Sequence, residues 1–132
     1  MREILFRGKR TDNGEWIYGD LMQNVNCIKI REQEKDVKHI AKSFEIDLET
    51  VGQYTDLTDK NGKRIFEGDI LLLDDINGIV NYGTGCFCVK LSGPDYLYHN
   101  NPAIDIVLYE YPGLEVIGNI YDTPEPLKGG EG

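Results

Sequence analysis

The sequence lacks the features that mark a membrane or secreted protein. No apolar run approaches the roughly 20 residues that a membrane helix needs. The first ten residues, MREILFRGKR, contain no long apolar segment of the kind found in signal peptides. We therefore expect a soluble, cytoplasmic protein that makes no membrane contact.

Cysteine is scarce, and the three present, Cys27, Cys86 and Cys88, are too few and odd in number for a disulfide framework. On a strand, Cys86 and Cys88 would share one face. Together with Cys27 and either His39 or His99, they could form a four-ligand zinc site. Zinc sites usually pair two C-x2-C motifs, whereas this is a single C-x-C, and small cysteines are common in cores. We therefore predict no metal and no cofactor.

Catalytic motifs are missing as well. The sequence contains no P-loop, no G-x-G-x-x-G and no H-E-x-x-H. Neither Ser43 nor Ser92 lies in a nucleophile elbow. His99, with Asp95 and Tyr98 nearby, could act as an acid or base, but no nucleophile accompanies it, which favours a solvated loop histidine. The sequence predicts a protein that is not an enzyme.

Positive charge is limited: 14 basic residues face 23 acidic ones, a net charge of −9. Residues 1–10 are locally basic, with Arg2, Arg7, Lys9 and Arg10 against Glu3. This cluster could touch phosphate, but a solvated strand face or pairing within an oligomer is the favoured interpretation. The acidic remainder repels nucleic acid and anionic membrane, and it suits solubility, a basic partner or mimicry of a nucleic acid.

Helical periodicity is also nearly absent, while 15 glycines and 8 tyrosines favour strands joined by tight turns. We predict nine or ten strands. Three Asn-Gly pairs predict hairpin turns, because Asn and Gly tolerate the positive φ of such turns: Asn13-Gly14, Asn61-Gly62 and Asn77-Gly78.

Two segments alternate between apolar and polar residues and are predicted as strands. The segment SFEIDLETV would place Leu48 on the same buried face as Phe44 and Ile46. The segment IDIVLYEY, residues 104–111, would bury one set of side chains and expose the other. The buried set is Ile104, Ile106 and Leu108, and the outward set is Asp105, Val107, Tyr109 and Tyr111.

The stretch TDKNGKRIFEGDI, residues 58–70, and the residues that follow it are rich in acids. Glu67, Asp69, Asp74 and Asp75 could hold a divalent metal through oxygen ligands. They also flank predicted turns, where Asp and Glu are common. Turn formation is the favoured interpretation, since the acidic chain offers no basic groove for the substrate of a metal nuclease.

Two Y-x-Y pairs, Tyr96 with Tyr98 and Tyr109 with Tyr111, form the candidate interaction surface. Each pair shares one face if its segment is extended. Tyrosine is favoured at protein interfaces, although cross-strand tyrosines are also ordinary sheet packing.

Three blocks of the sequence resemble the YopX family of small bacteriophage and prophage proteins: residues 2–21 (REILFRGKRTDNGEWIYGDL), 50–71 (TVGQYTDLTDKNGKRIFEGDIL) and 115–127 (EVIGNIYDTPEPL). Residues from about 22 to 48 and from about 84 to 112 match no signature of the family. The resemblance implies an all-β protein with an SH3-like C-terminal barrel, encoded by a phage or prophage in a bacterial host. It implies no established activity, so no catalytic residue is assigned from it.

The residues and the resemblance together predict an all-β fold, in which an N-terminal antiparallel sheet (1–54) and an SH3-like barrel (55–122) share a core and a flexible tail (123–132) follows. The predicted function is that of a non-enzymatic phage accessory protein, a protein-interaction or self-assembling module. We expect a homo-oligomer or a complex with a host or phage protein. The alternative is a nucleic-acid-associated module that uses the barrel surface and the basic N-terminus.

Overall fold

The computed structural model describes residues 2–32, 42–83, 85–92 and 101–122. The chain divides into two compact units, Met1–Tyr54 and Thr55–Gly132. The described residues form ten strands, one α-helix and one 3-10 turn, and the strands pair in antiparallel fashion. The prediction of an all-β fold is thus confirmed. The tail from residue 123 onward lies outside the described residues.

The strands of the N-terminal unit are β1 (Phe6–Lys9), β2 (Trp16–Gln23), β3 (Ile28–Glu32), β4 (Ser43–Glu45) and the start of β5 (Gly52–Thr58). They form a meandering sheet in which β3 lies between β4 and β2, and β1 lies between β2 and the first half of β5. The predicted turn at Asn13-Gly14 joins β1 to β2, and Gly14 has a φ of +74°. Ile17, Ile30 and Ile46 form the buried centre of this unit.

The strand predicted from Ser43 onward is shorter than expected. It ends at Glu45, and Leu48–Thr50 forms a 3-10 turn. The Asp47 carboxylate accepts a hydrogen bond from the Glu49 N–H at 3.1 Å, which favours a turn over a continued strand. Leu48 is consequently 65% exposed, so its predicted core position is wrong.

The C-terminal unit contains the second half of β5 and the elements β6 (Arg64–Phe66), β7 (Asp69–Leu73), β8 (Ile76–Gly83), β9 (Cys86–Leu91), α1 (Ile104–Glu110) and β10 (Glu115–Asn119). Four of its strands form a sheet of order β10-β7-β8-β9, and the second half of β5 lies beside β6. The core includes Ile65, Leu71, Leu73, Val80 and Val89. Closure into an SH3-like barrel, and a core shared with the N-terminal unit, remain predictions.

One of the two Asn-Gly turns predicted here is confirmed and the other is wrong. Asn61-Gly62 joins β5 to β6, with Gly62 at a φ of +82°. Asn77-Gly78 lies inside β8, because the chain already turns at Asp74, which has a φ of +55°. A Cβ atom at position 78 would collide with the Val89 side chain, so Gly78 permits close packing instead of a turn.

The largest correction concerns residues 104–110, which form α1 and not a strand. Ile104 and Val107 are buried, whereas Ile106 is 52% exposed. Leu108 and Tyr111 are half-buried against the same core. The apolar positions 104, 107, 108 and 111 follow the spacing of one helical face, which the alternating interpretation missed.

Candidate functional site

Among the acidic residues weighed as metal ligands (Glu67, Asp69, Asp74 and Asp75), Asp69 has a backbone contact that explains its position. Asp69 is 2% exposed and accepts a hydrogen bond from the Phe66 N–H at 2.7 Å. It thereby holds the turn at Gly68, whose φ is +90°. Asp74 and Asp75 are exposed in the turn between β7 and β8. Within the described residues, no group of three His, Cys, Asp or Glu side chains could hold a metal ion.

A further carboxylate, Asp59, has a structural role that the sequence did not predict. It is 7% exposed, and its Oδ1 accepts the N–H groups of Asn61 and Lys63 at 2.8 and 2.9 Å. Its Oδ2 accepts the N–H of Val116 on β10, also at 2.9 Å. One carboxylate thus fixes the β5–β6 turn and attaches it to a strand 57 residues further along the chain.

The same hydrogen bonds decide the protonation state of Asp59. Burial alone would raise its pKa. The three N–H donors, from Val116, Lys63 and Asn61, outweigh burial and hold the pKa below its usual value. Asp59 is therefore a charged structural residue, and none of its contacts suggests acid–base catalysis.

The basic cluster at the N-terminus is engaged within its own unit. The Arg7 guanidinium lies 4.7 Å from the centre of the Trp16 ring, and the Lys9 ammonium lies 5.5 Å from it. Arg7 is 5% exposed. Such cation–π contacts stabilise the pairing of β1 with β2, where Arg7 is opposite Tyr18 and Lys9 is opposite Trp16.

Arg10 is held in a similar way. Its guanidinium lies 4.2 Å from the centre of the Phe44 ring and donates to both carboxylate oxygens of Asp12, at 2.9 and 2.6 Å. The hydrogen bond from Arg10 lowers the pKa of Asp12. A nucleic acid would have to compete with these intramolecular contacts for the guanidinium, which weakens the basic cluster as a phosphate-binding stripe.

Cys86 and Cys88 lie on the same face of β9, and their Sγ atoms are 3.7 Å apart. Cys27, the third cysteine of the zinc hypothesis, belongs to the N-terminal unit, and all three described cysteines are outside disulfides. His39 and His99 lie outside the described residues. Of the proposed four-ligand zinc site, the structure therefore brings together only Cys86 and Cys88 among the residues that it describes.

The predicted tyrosine surface is changed by the helix. Tyr96 and Tyr98 lie outside the described residues. Tyr109 lies in the last turn of α1 and Tyr111 is the residue that caps the helix C-terminus, so the two do not share a strand face. Tyr109 is 87% exposed, whereas Tyr111 is half-buried and packs against the core. Only Tyr109 of this pair is placed for a contact.

The helix gives Tyr109 a different neighbour. Ile106 precedes it by three residues and is 52% exposed, so the two side chains lie on the same outer face of α1. Ile104 and Val107 anchor the opposite face in the core. Asp105 and Glu110 are the exposed charges of the helix, which has no basic residue. We call Ile106 and Tyr109, with these two acids, the α1 outer face.

Comparison with known proteins gives the chain a family. The family model described as "YopX protein" matches residues 5–128. A similar solved structure is that of protein EF1440 from Enterococcus faecalis, which is 25% identical and has a TM-score of 0.58. The similarity covers 96% of this chain and 99% of that one. No curated protein matches the chain.

In residues 2–32, 42–83, 85–92 and 101–122, no helix has the length and apolar character needed to cross a bilayer.

Proposed function

This chain belongs to the YopX family, and we propose that it is a non-enzymatic interaction module that binds a partner protein through the α1 outer face. The observation that carries the proposal is the 87% exposure of Tyr109 beside the 52% exposure of Ile106 on a helix anchored from its other side. A large aromatic and a branched apolar side chain next to each other on a rigid support are typical anchors of protein interfaces.

The charges around this face indicate the character of the partner. Asp105 and Glu110 flank the two apolar side chains, and α1 has no Lys or Arg to neutralise them. A second copy docking on the same face would bring like charges together, at a cost in binding free energy. A partner with basic residues around an apolar pocket would form ion pairs with Asp105 and Glu110. We therefore propose such a partner as the first candidate and self-association as the second.

The setting of this function is proposed from the family resemblance. We propose that the protein acts in the cytoplasm of a bacterial host as an accessory protein of a phage or prophage. Its partner would then be a host or phage protein. The nucleic-acid alternative is less well supported, because Arg7, Lys9 and Arg10 are engaged with Trp16, Phe44 and Asp12.

Affinity purification from a lysogenic or infected host tests the proposal. The baits are the parent chain, the double variant Ile106→Ala with Tyr109→Ala, and the control variant Tyr18→Ala. Tyr18 is 43% exposed on β2, so the control removes the same side chain from a different surface. Mass spectrometry identifies the captured proteins, with and without nuclease treatment.

We expect a basic protein that the parent and Tyr18→Ala capture equally and that the double variant loses. Capture should weaken at high salt and should be insensitive to nuclease. Equal capture by the double variant would show that the contact lies elsewhere. Loss of the captured protein on nuclease treatment would favour the nucleic-acid alternative.

A further inference from the structure

The geometry points to a second site: we propose that Cys86 and Cys88 chelate one soft, thiophilic metal ion through both sulfur atoms. The proposal is independent of the α1 outer face and of the proposed function. It starts from the 3.7 Å separation of the two Sγ atoms. Two sulfurs at the usual distance from a tetrahedral metal such as zinc, about 2.3 Å each, are about 3.8 Å apart. The thiols are thus already at the spacing that two-point binding requires.

Strand register explains why these thiols converge. In the pairing of β8 with β9, Cys86 is opposite Gly83 and Cys88 is opposite Asn81, so these four positions project to one face of the sheet. Val89 and Phe87 project to the other face, where they pack into the core with Val80. Neither cysteine belongs to that apolar cluster, although Cys88 is itself buried.

The described groups next to the pair are small or uncharged. Gly83 contributes no side chain opposite Cys86, and a Cβ atom placed there would lie 3.5 Å from Asn81 Oδ1 and 3.7 Å from Asn101 Nδ2. Those two amides are hydrogen-bonded to each other at 2.8 Å. Cys88 is 2% exposed and Cys86 is half-buried, so Cys86 is the more accessible residue of the pair.

The donor atoms determine the class of ion. Thiolates are soft ligands and select ions such as Cu(I), Zn(II) and Cd(II) over Mg(II) and Ca(II). Two thiolates also neutralise a divalent ion, and the nearby side chains of Asn81 and Asn101 are uncharged. Binding releases the thiol protons as the two metal–sulfur bonds form, so affinity should rise with pH.

The pair supplies two ligands, whereas structural zinc sites use four. The inference therefore departs from the sequence-based prediction of no metal, which weighed a four-ligand zinc site and not a two-thiol site. The remaining positions on the ion would be filled by water or small ligands, or by the same pair of a second chain.

Titration of the reduced full-length protein with Cd(II) tests the site. Cadmium bound to thiolates gives a charge-transfer absorption in the ultraviolet, which reports sulfur coordination directly. We expect saturation at one equivalent per chain and at least a tenfold loss of affinity in Cys86→Ser. The matched control is Cys27→Ser, which removes a half-buried thiol from the other unit and should leave binding unchanged.

A measurement on the unmodified chain accompanies the variants, in case a substitution disturbs folding. Bound Cd(II) should slow the alkylation of Cys86 at least tenfold, as followed by peptide mass spectrometry, without slowing that of Cys27. Saturation at half an equivalent would also support the site, with each ion held by two chains. The proposal is overturned if no charge-transfer band forms, if Cys86→Ser binds like the parent, or if Cys27→Ser abolishes binding.

Discussion

At the scale of single residues, two carboxylates of the stretch 58–70 hold the backbone at turns. Asp59 binds three backbone N–H groups, and Asp69 binds one at the next turn. The sequence correctly favoured turn chemistry for Asp69. It gave no sign of the bond from Asp59 to Val116, because the two residues are 57 positions apart and meet only in the folded chain.

Replacement of Asp59 by Asn tests this role. The amide can still accept the turn N–H groups through its oxygen, but its NH2 group faces the Val116 N–H and leaves that buried donor unsatisfied. We expect a loss of about 1–3 kcal/mol in the free energy of unfolding at neutral pH, measured by urea denaturation. Asp74→Asn is the control, because Asp74 is exposed and Asn tolerates its positive φ. An equal loss in both variants would contradict the assigned role.

The same residue predicts a dependence on pH. The pKa of Asp59 is lower in the folded protein than its usual value of about 3.9, so its charge stabilises the fold above that pH. The stabilisation should decline as the pH falls through the folded-state pKa. The free energy of unfolding is measured from about pH 6 to about pH 2, a range that includes the unfolded-state pKa. As the pH falls, it should decrease more steeply for the parent than for Asp59→Asn. Parallel curves would contradict the prediction.

At the scale of elements, strands were easier to predict than the helix. The sequence correctly predicted β2, β7 and β9. In these segments, apolar residues either alternate with polar ones or follow one another without a break, and turn residues lie at both ends. In the segment that forms α1, the pattern IDIVLYE fits both a period of two and a helical period. Seven residues are too few to separate the two patterns. The choice is made by burial of Ile104 and Val107 in the core.

Two alanine variants distinguish the helix from the predicted strand. Val107 is 3% exposed, so Val107→Ala should leave a cavity and cost about 1–3 kcal/mol. Ile106→Ala removes a larger side chain from a position that is 52% exposed, and it should change stability by less than about 0.5 kcal/mol. Thermal denaturation compares the two. A larger loss of stability in Ile106→Ala than in Val107→Ala would support the predicted strand instead of the helix.

At the scale of the whole molecule, we expect net charge to oppose self-association. The chain carries a net charge of −9, and the α1 outer face adds Asp105 and Glu110 around its apolar pair. The homo-oligomer predicted from the sequence would therefore form against electrostatic repulsion at low ionic strength. Salt screens such repulsion between exposed charges.

The self-association prediction is accordingly tested as a function of salt. We expect light scattering to give a monomer at low salt and a mass that increases with both salt and protein concentration. Tyr109→Glu should prevent the increase without a change in circular dichroism, because Tyr109 is 87% exposed. A strict monomer under all conditions would exclude self-association. An increase that persists in Tyr109→Glu would place the contact on another surface.

The sequence alone determined the all-β class, the turns at Asn13-Gly14 and Asn61-Gly62, and the resemblance to the YopX family. These depend on local properties, since positive φ favours Gly and side-chain alternation follows the strand. Tertiary structure decided which of two periods residues 104–110 adopt, which tyrosine is exposed, and that Asp59 joins two distant segments. It also placed the two cysteine sulfurs 3.7 Å apart on the face of β9 opposite the core, because strand register and burial arise only from contacts between residues far apart in the chain.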